Sequence, residues 1–183
     1  MTLERLLRAH VASDDCEEAD RIAMLRLAAE LEEPTSRDQP RAHFTASAFV
    51  IDADCARVCL VEHAKLGRLL QPGGHIEPTD ESPEAAAMRE AAEETRLELD
   101  FHPAAPRPFD LDIHQIPERP DEPAHFHLDI RYLLIGSGDP CTGAAWYPFG
   151  HAADGSVARL AAKAATYRRP LYGEDARRGD HPD

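Results

Sequence analysis

The segment from Gly73 to Leu97 reads GGHIEPTDESPEAAAMREAAEETRL and predicts a glycine-containing loop that leads into one α-helix. The helix start is marked by the run Ser82–Glu84, in which a serine N-cap is followed by a proline and an acidic residue. The alanines that follow favour continuation of the helix. On that helix three acidic residues stand at positions i, i+3 and i+4 and therefore share one face: Glu90, Glu93 and Glu94.

Three carboxylates on one helix face have two interpretations. The first is a solvated acidic face, which is common on helices. The second is a site for a hard divalent cation such as Mg²⁺, which takes oxygen ligands at about 2.1 Å. The pair Gly73-Gly74 favours the second interpretation, because glycine lets the backbone approach a bound ion or phosphate closely. Arg89 also favours it, since its charge can hold neighbouring carboxylates in place.

The spacing of these residues resembles the signature of the Nudix hydrolases, G-x5-E-x7-R-E-U-x-E-E-x-G-U, in which U is aliphatic. The charged positions fit that pattern without a gap: Glu81, Arg89-Glu90 and Glu93-Glu94. The loop departs from it, because six residues rather than five separate Gly74 from Glu81. Arg96 stands where the pattern has glycine. That glycine suits left-handed backbone at a helix end, so Arg96 is expected to cost about 1 kcal/mol or to shift the cap.

The resemblance implies metal-dependent hydrolysis of a pyrophosphate bond in a nucleoside diphosphate linked to another moiety, or in a related small pyrophosphate. The implied ligands of Mg²⁺, or alternatively of Mn²⁺, are Gly73 through its carbonyl, Glu90, Glu93 and Glu94. Glu81 and Arg89 are implied to orient the glutamates through a salt bridge. The signature leaves the general base open, with Glu90 and Asp129 as candidates.

A second polar pattern lies on the predicted strand at residues 126–134. Polar residues alternate there with apolar ones and occupy one strand face: His125, His127, Asp129 and Arg131. A solvated face with salt bridges is one explanation. The alternative places this face over the metal site, with His127 or Asp129 as an outer metal ligand or base. Arg131 would then bind a substrate phosphate through two hydrogen bonds, and His125 and His127 would line the substrate site. Arg68 is a separate candidate for a phosphate contact because it lies near the glycine loop, although surface arginines are more often simply solvated. In that case Asp129→Asn lowers turnover at least about ten-fold and leaves folding intact.

The rest of the chain predicts an α/β fold. Two apolar stripes within residues 2–33 predict an N-terminal helical hairpin. Strands are predicted at residues 43–51, 57–63, 109–113, 126–134 and 145–149, and helices at 83–96 and 152–167. With the resemblance, these elements imply a Nudix-type α/β/α sandwich with a mixed sheet. The implied organisation is an N-terminal helical extension at 1–40, a Nudix domain at 41–170 and a disordered tail at 171–183.

Length and charge limit the class of protein. The chain has 183 residues, enough for one domain with an appendage, and a formal net charge of −14, which argues against binding a nucleic-acid polymer. A small phosphorylated substrate such as a nucleotide derivative stays compatible, because a bound metal inverts the local field. No apolar run could span a membrane and the N-terminus does not resemble a signal sequence, so a cytoplasmic protein is expected. A homodimer is common among Nudix proteins and stays open here.

Two other functions are compatible with the sequence. A non-catalytic Nudix-fold module would bind a nucleotide or a partner, but a sensor has no need of the complete acidic set. An isomerase of the same fold would act on a prenyl diphosphate, although the chain shows no clear isomerase signature. The loops carry no pattern that identifies the substrate.

Overall fold

The structure is a computed structural model that describes residues 2–63, 67–120, 123–151 and 155–167. The helices are α1 (Leu3–Ala9), α2 (Asp15–Glu30), α3 (Pro83–Thr95) and α4 (Gly155–Ala165). The strands are β1 (Ala42–Asp52), β2 (Arg57–His63), β3 (Arg68–Leu70), β4 (Gly73–His75), β5 (Glu98–Phe101), β6 (Asp110–Ile116), β7 (His125–Ser137) and β8 (Ala144–Pro148). A short 3₁₀ turn at Phe149–His151 follows β8.

Within the described residues, eight strands form one mixed sheet built around β1 and β7, which pair in parallel. β2 and β4 pair antiparallel with β1, while β5 and β6 pair antiparallel with β7. β3 and β8 pair antiparallel with β2. The predicted mixed sheet is confirmed. It gains three short strands that were not predicted, namely β3, β4 and β5.

Alternating side chains of β1 face two separate layers. One set packs in a core with α3: Phe44, Ala46, Ala48 and Val50. Phe49 and Ile51 point the other way and pack against apolar residues of α4. Helices therefore cover both faces of the sheet, which confirms the predicted α/β/α sandwich. The N-terminal part of β1 places His43, Thr45 and Ser47 on the same side as Phe49, where they form a buried polar surface.

The predicted N-terminal hairpin is confirmed, and its second helix covers the outer edge of β6. The main-chain N–H of Leu111 donates to Glu17 Oε1 at 3.1 Å, and that of Ile113 donates to Asp20 Oδ2 at 3.3 Å. An uncovered strand edge presents such donors to other chains. Lys163 of α4 donates to both oxygens of Glu17 at 2.8 Å. The hairpin is thus joined by charged groups to β6 and to α4.

Several element boundaries differ from the prediction. β6 continues to Ile116 and β7 continues to Ser137, because both pair over longer stretches than their alternating patterns indicate. α4 begins at Gly155, and residues 152–154 of the predicted last helix lie outside the described residues, as does the predicted tail at 171–183. Among the helices described, none has both the length and the apolar character needed to cross a membrane.

Candidate active site

α3 begins at a serine cap that its sequence specifies and ends at a residue with left-handed backbone. The Oγ of Ser82 accepts a hydrogen bond from the N–H of Ala85 at 3.1 Å, and Pro83 occupies the first turn, as predicted. The helix ends at Arg96, whose φ of 60° and ψ of 19° lie in the left-handed region. Arg96 therefore adopts the conformation that the glycine of the signature would adopt more easily.

The two glycines of β4 lie directly against neighbouring groups. A Cβ atom on Gly73 would lie 2.3 Å from the Cβ of Ser47. A Cβ atom on Gly74 would lie 2.7 Å from the carboxyl carbon of Glu90. The main-chain N–H of Gly73 donates to Glu94 Oε2 at 3.0 Å. The glycine pair thus allows β4 to contact both the sheet and the acidic face of α3.

Glu94 lies where its negative charge is disfavoured. Burial raises its pKa, and the nearby carboxylates of Glu90 and Glu93 raise it further, against the opposing hydrogen bond from Gly73. A divalent cation beside these carboxylates would favour the ionised form. Carboxylate oxygens grouped on one helix face next to partly exposed glycine backbone are the donors that a hard cation prefers. The residues present therefore fit a divalent metal ion.

Arg89 joins the loop before α3 to the acidic face of that helix. Its guanidinium donates to both carboxylate oxygens of Asp80, at 3.0 and 2.8 Å, and to the carbonyl of His75 at 3.0 Å. It also donates to Glu90 Oε1 at 2.9 Å and to Glu93 Oε2 at 3.4 Å. The hydrogen bonds from Arg89 lower the pKa of Asp80, and those to Asp80 raise the pKa of Arg89. One side chain thus positions the loop and two glutamates.

The sequence profile of the NUDIX domain matches residues 41–164, a segment that contains the sheet, the glycine pair and α3. The chain belongs to the Nudix family. By family it is a Nudix-type pyrophosphohydrolase, a hydrolase that acts on acid anhydrides.

Several solved structures resemble the chain over most of their own length. A NUDIX-family hydrolase from Clostridium perfringens is 25% identical, with a TM-score of 0.51 over 69% of this chain and 98% of that one. A NUDIX hydrolase from Nitrosomonas europaea is 24% identical, with a TM-score of 0.45 over 73% and 94%. A C. elegans Ap4A hydrolase is 15% identical, with a TM-score of 0.47 over 68% and 96%. A search of curated proteins finds no significant match.

The salt bridge expected between Glu81 and Arg89 is formed by Asp80 instead, which corrects the sequence prediction. Asp80 follows Gly74 by the five intervening residues of the Nudix signature, so the extra residue falls after Asp80 rather than before it. The N–H of Glu77 donates to Asp80 Oδ2 at 2.8 Å and helps to orient this carboxylate. Glu81 is exposed. Counting forward from Gly74, rather than backward from Arg89, would have identified Asp80.

Arg131, expected to contact a substrate phosphate, is fully buried and already paired with three carboxylates. Its guanidinium donates to Asp112 at 2.7 Å, to Asp129 at 2.8 Å and to Asp110 at 3.3 Å. Arg159 of α4 adds a hydrogen bond to Asp110 at 3.0 Å. The expectation for Arg131 is therefore corrected: this face of β7 lies towards α4 rather than over α3, and the arginine balances buried aspartates.

Asp129, a candidate ligand or base, belongs to the same buried network. Its carboxylate accepts hydrogen bonds from the hydroxyls of Thr45 at 3.1 Å and Ser47 at 2.7 Å. It also accepts the hydrogen bond from the guanidinium of Arg131 described above. Burial would raise the pKa of Asp129, but the charges of Arg131 and His114 and the hydrogen bonds from Arg131 and Ser47 hold it below its usual range. Both oxygens are thus engaged in the protein interior, which favours a structural role for Asp129, and a role in catalysis stays a prediction.

His125 and His127 lie in a group of five histidines, named here the histidine cluster: His43, His75, His114, His125 and His127. The centroids of neighbouring rings are 4.8–5.6 Å apart. The sequence did not connect His43 and His75 with the others, because their proximity depends on the pairing of β1 with β4 and β7. Burial, with the nearby histidines, lowers the pKa of His127 to about 3.

Arg68, the remaining predicted substrate contact, is not part of the histidine cluster. It is exposed at the start of β3.

Proposed function

We propose that the chain is a divalent-metal-dependent hydrolase that cleaves the pyrophosphate bond of a nucleoside diphosphate linked to another moiety, or of a related small pyrophosphate. The observation that carries this proposal is the grouping of Glu90, Glu93 and Glu94 beside the glycine pair, with the pKa of Glu94 raised by burial and by the other two carboxylates. Such a group is unfavourable without a cation and favourable with one.

In the proposed site Glu90 and Glu94 hold Mg²⁺ or Mn²⁺, with Glu93 and the carbonyl of Gly73 as further ligands. When bound, the ion neutralises phosphate oxygens and lowers the pKa of the attacking water. Arg89 supports this arrangement, since it fixes Glu90 on the helix side and the preceding loop through Asp80. Positioning of this kind contributes to catalysis by reducing the motion of the reacting groups.

Glu90 is the general base in this proposal. Besides binding the ion, its carboxylate is proposed to accept the proton of the attacking water, and the hydrogen bond that Arg89 donates to Oε1 holds that carboxylate in place. Because Asp80 pairs with Arg89, Glu81 has no proposed part in positioning the glutamates. We propose that removing the exposed carboxylate of Glu81 lowers turnover less than removing that of Asp80. Arg68 stays a proposed substrate contact, because it is exposed on the strand that precedes the glycine loop.

The proposal also covers the substrate, the bounds of the domain, the location of the protein and its oligomeric state. A nucleotide derivative is the proposed substrate, and the domain that acts on it is proposed to span residues 41–170. We further propose that the protein is cytoplasmic and forms a homodimer. Light scattering of the purified protein would measure its oligomeric state. None of these parts alters the chemistry proposed at α3.

The test is turnover of a panel of pyrophosphates in Mg²⁺ and in Mn²⁺, with the products separated by chromatography. The panel contains nucleotide sugars, dinucleoside polyphosphates, nucleoside triphosphates and coenzyme A. We expect Glu94→Gln to lower turnover of the cleaved compound about a hundred-fold, because it removes a charged metal ligand. Glu98→Gln is the matched control, since Glu98 is exposed on β5 and outside the site; its turnover should equal that of the wild type.

A thermal measurement tests the metal separately. Mg²⁺ or Mn²⁺ should raise the Tm of the wild type by mass action, and Glu94→Gln should reduce that increase. Turnover that is equal in wild type and Glu94→Gln would reject the proposed site. Tight binding of one compound without turnover would favour the nucleotide-sensing function, and an isomeric product would favour the isomerase.

A further inference from the structure

We propose that His43, His125 and His127 form a second metal site, which binds a first-row transition-metal ion such as Zn²⁺. One ligand atom from each of the three side chains lies within 4.8 Å of the other two. Around Zn²⁺, with Zn–N bonds of about 2.0–2.1 Å, tetrahedral nitrogen ligands stand about 3.4 Å apart. Side-chain rotations that move the ring nitrogens by about 1 Å therefore complete the site.

Strand pairing holds the three histidines together. His43 of β1 lies directly opposite His127 of β7 in the parallel register. His125 is two residues earlier on β7 and so lies on the same face of that strand. Ligands carried by paired central strands are positioned more exactly than ligands carried by loops. His43 and His125 are buried, and His127 is partly buried.

The hydrogen bond of His125 determines which of its two ring nitrogens can bind a metal ion. Its Nδ1 lies 2.9 Å from the carbonyl oxygen of Pro123. A carbonyl oxygen only accepts, so Nδ1 carries the proton and Nε2 carries the lone pair. Metal-bound histidines usually donate their second ring nitrogen to a carbonyl or carboxylate in this way.

The remaining two members of the histidine cluster surround the proposed site. The ring of His75 lies 5.1 Å from that of His43, and the ring of His114 lies 5.4 Å from that of His127. His114 Nδ1 is 2.9 Å from Asp112 Oδ2, a carboxylate partner of the kind that orients a metal-site histidine. The side chain of His114 is 39% exposed, which gives an ion a path from solvent. A fourth ligand would come from His75, His114 or water.

The proposed site differs from the glutamate site in chemistry and in position. Imidazole nitrogens favour Zn²⁺, Ni²⁺ and Cu²⁺, whereas carboxylate oxygens favour Mg²⁺ and Mn²⁺. Gly74 faces Glu90, while His75, the next residue of β4, points to the other face of the strand. The two sites are thus separated by β4 and can be filled by different ions.

The test is Zn²⁺ binding to untagged protein, stripped with EDTA, dialysed, and titrated by calorimetry in excess Mg²⁺, which competes at the glutamates. We expect about one Zn²⁺ per chain and at least about a ten-fold weaker affinity in His127→Gln and in His125→Gln. His151→Gln is the matched control, because His151 is exposed in the 3₁₀ turn and outside the histidine cluster. His151→Gln and Glu94→Gln should bind Zn²⁺ as the wild type does.

X-ray absorption at the zinc edge is recorded on the wild type, so its result does not depend on whether the histidine variants fold. Scattering from at least three imidazole rings supports the site, and a ligand shell of oxygens alone overturns it. Absence of Zn²⁺ binding in excess Mg²⁺ also overturns it, as does binding that Glu94→Gln abolishes and both histidine variants retain. Because these measurements do not involve turnover, they are independent of the proposed hydrolase activity.

Discussion

The main-chain N–H of Gly73 and the Oε2 atom of Glu94 are joined by a hydrogen bond of 3.0 Å. This bond connects β4 with the last turn of α3, and Gly74 brings the same strand against Glu90. The glycine pair therefore has two separable functions. Gly73 allows close packing on β1, whereas Gly74 leaves room for a carboxylate.

Alanine substitution should separate these two functions. In Gly74→Ala the new Cβ meets the end of the flexible Glu90 side chain, which can rotate away, so we expect turnover to fall by about ten-fold or more with little loss of stability. In Gly73→Ala the new Cβ lies 2.6 Å from the backbone Cα of Ser47, so we expect the free energy of unfolding to fall by about 1–3 kcal/mol. Urea unfolding and turnover measured for each variant test both expectations. Equal losses of stability in the two variants would contradict the separate functions assigned to Gly73 and Gly74.

Asp80 and Glu81 should differ although they are adjacent and both acidic. Asp80→Asn weakens two charge-assisted hydrogen bonds of Arg89, so we expect the free energy of unfolding to fall by about 1–3 kcal/mol and turnover to fall with it. Glu81→Gln changes an exposed side chain, for which we expect a change within about 0.5 kcal/mol. A larger effect of Glu81→Gln on stability would restore Glu81 as the partner of Arg89.

Asp129→Asn should affect folding rather than chemistry. The carboxylate of Asp129 is buried against the fully buried guanidinium of Arg131, and loss of one charge leaves the other less compensated. We expect the free energy of unfolding to fall by about 2–5 kcal/mol, with turnover per folded molecule unchanged. The matched control is Asp100→Asn on the exposed side of β5. A stable variant with turnover reduced ten-fold would instead make Asp129 catalytic.

Arg96→Gly should stabilise the protein. Arg96 ends α3 with left-handed backbone, which costs an L-residue about 1 kcal/mol that glycine avoids. We expect the free energy of unfolding to rise by less than about 1 kcal/mol, because the greater freedom of glycine in the unfolded chain offsets part of the relieved strain. Arg96→Ala removes the same side chain but retains the Cβ, and should give no such gain. Urea unfolding of both variants distinguishes backbone strain from loss of the arginine.

The parts of the fold that sequence predicts well depend on neighbours in the chain. α3 was predictable because its cap, its proline and its acidic face all lie within one short segment. β4 was not, because two glycines and a histidine have no strand preference and pair only because β1 lies beside them. The identity of the Arg89 partner was ambiguous by one residue, since an extra loop residue can fall on either side of Asp80.

The surroundings of the polar face of β7 could not be predicted either. The alternation of polar and apolar residues correctly predicted that Asp129 and Arg131 lie on one face of β7. It did not predict which helix covers that face. The answer depends on residues far apart in the sequence, such as Arg159, which contacts Asp110, and Lys163, which contacts Glu17. Local periodicity carries no information about such pairs.

Acid should destabilise the metal-free protein through His127. Burial, with the nearby His114 and His43, lowers its pKa from 6.5 to about 3, while the charge of Asp129 opposes the shift. The unfolded chain therefore takes up a proton below about pH 6.5, and the folded protein does so only near pH 3. The stability that this difference contributes is complete above pH 6.5 and is lost as the pH falls towards 3.

His127→Gln should remove this part of the pH dependence. Between pH 7 and pH 5 the wild type is expected to lose about 1–2 kcal/mol of unfolding free energy through His127, which the variant cannot lose. Measured in EDTA, the difference in stability between wild type and His127→Gln should therefore shrink as the pH falls. His151→Gln should follow the wild type, because its ring lies outside the histidine cluster. Parallel curves for wild type and His127→Gln would mean that His127 is not held neutral by burial.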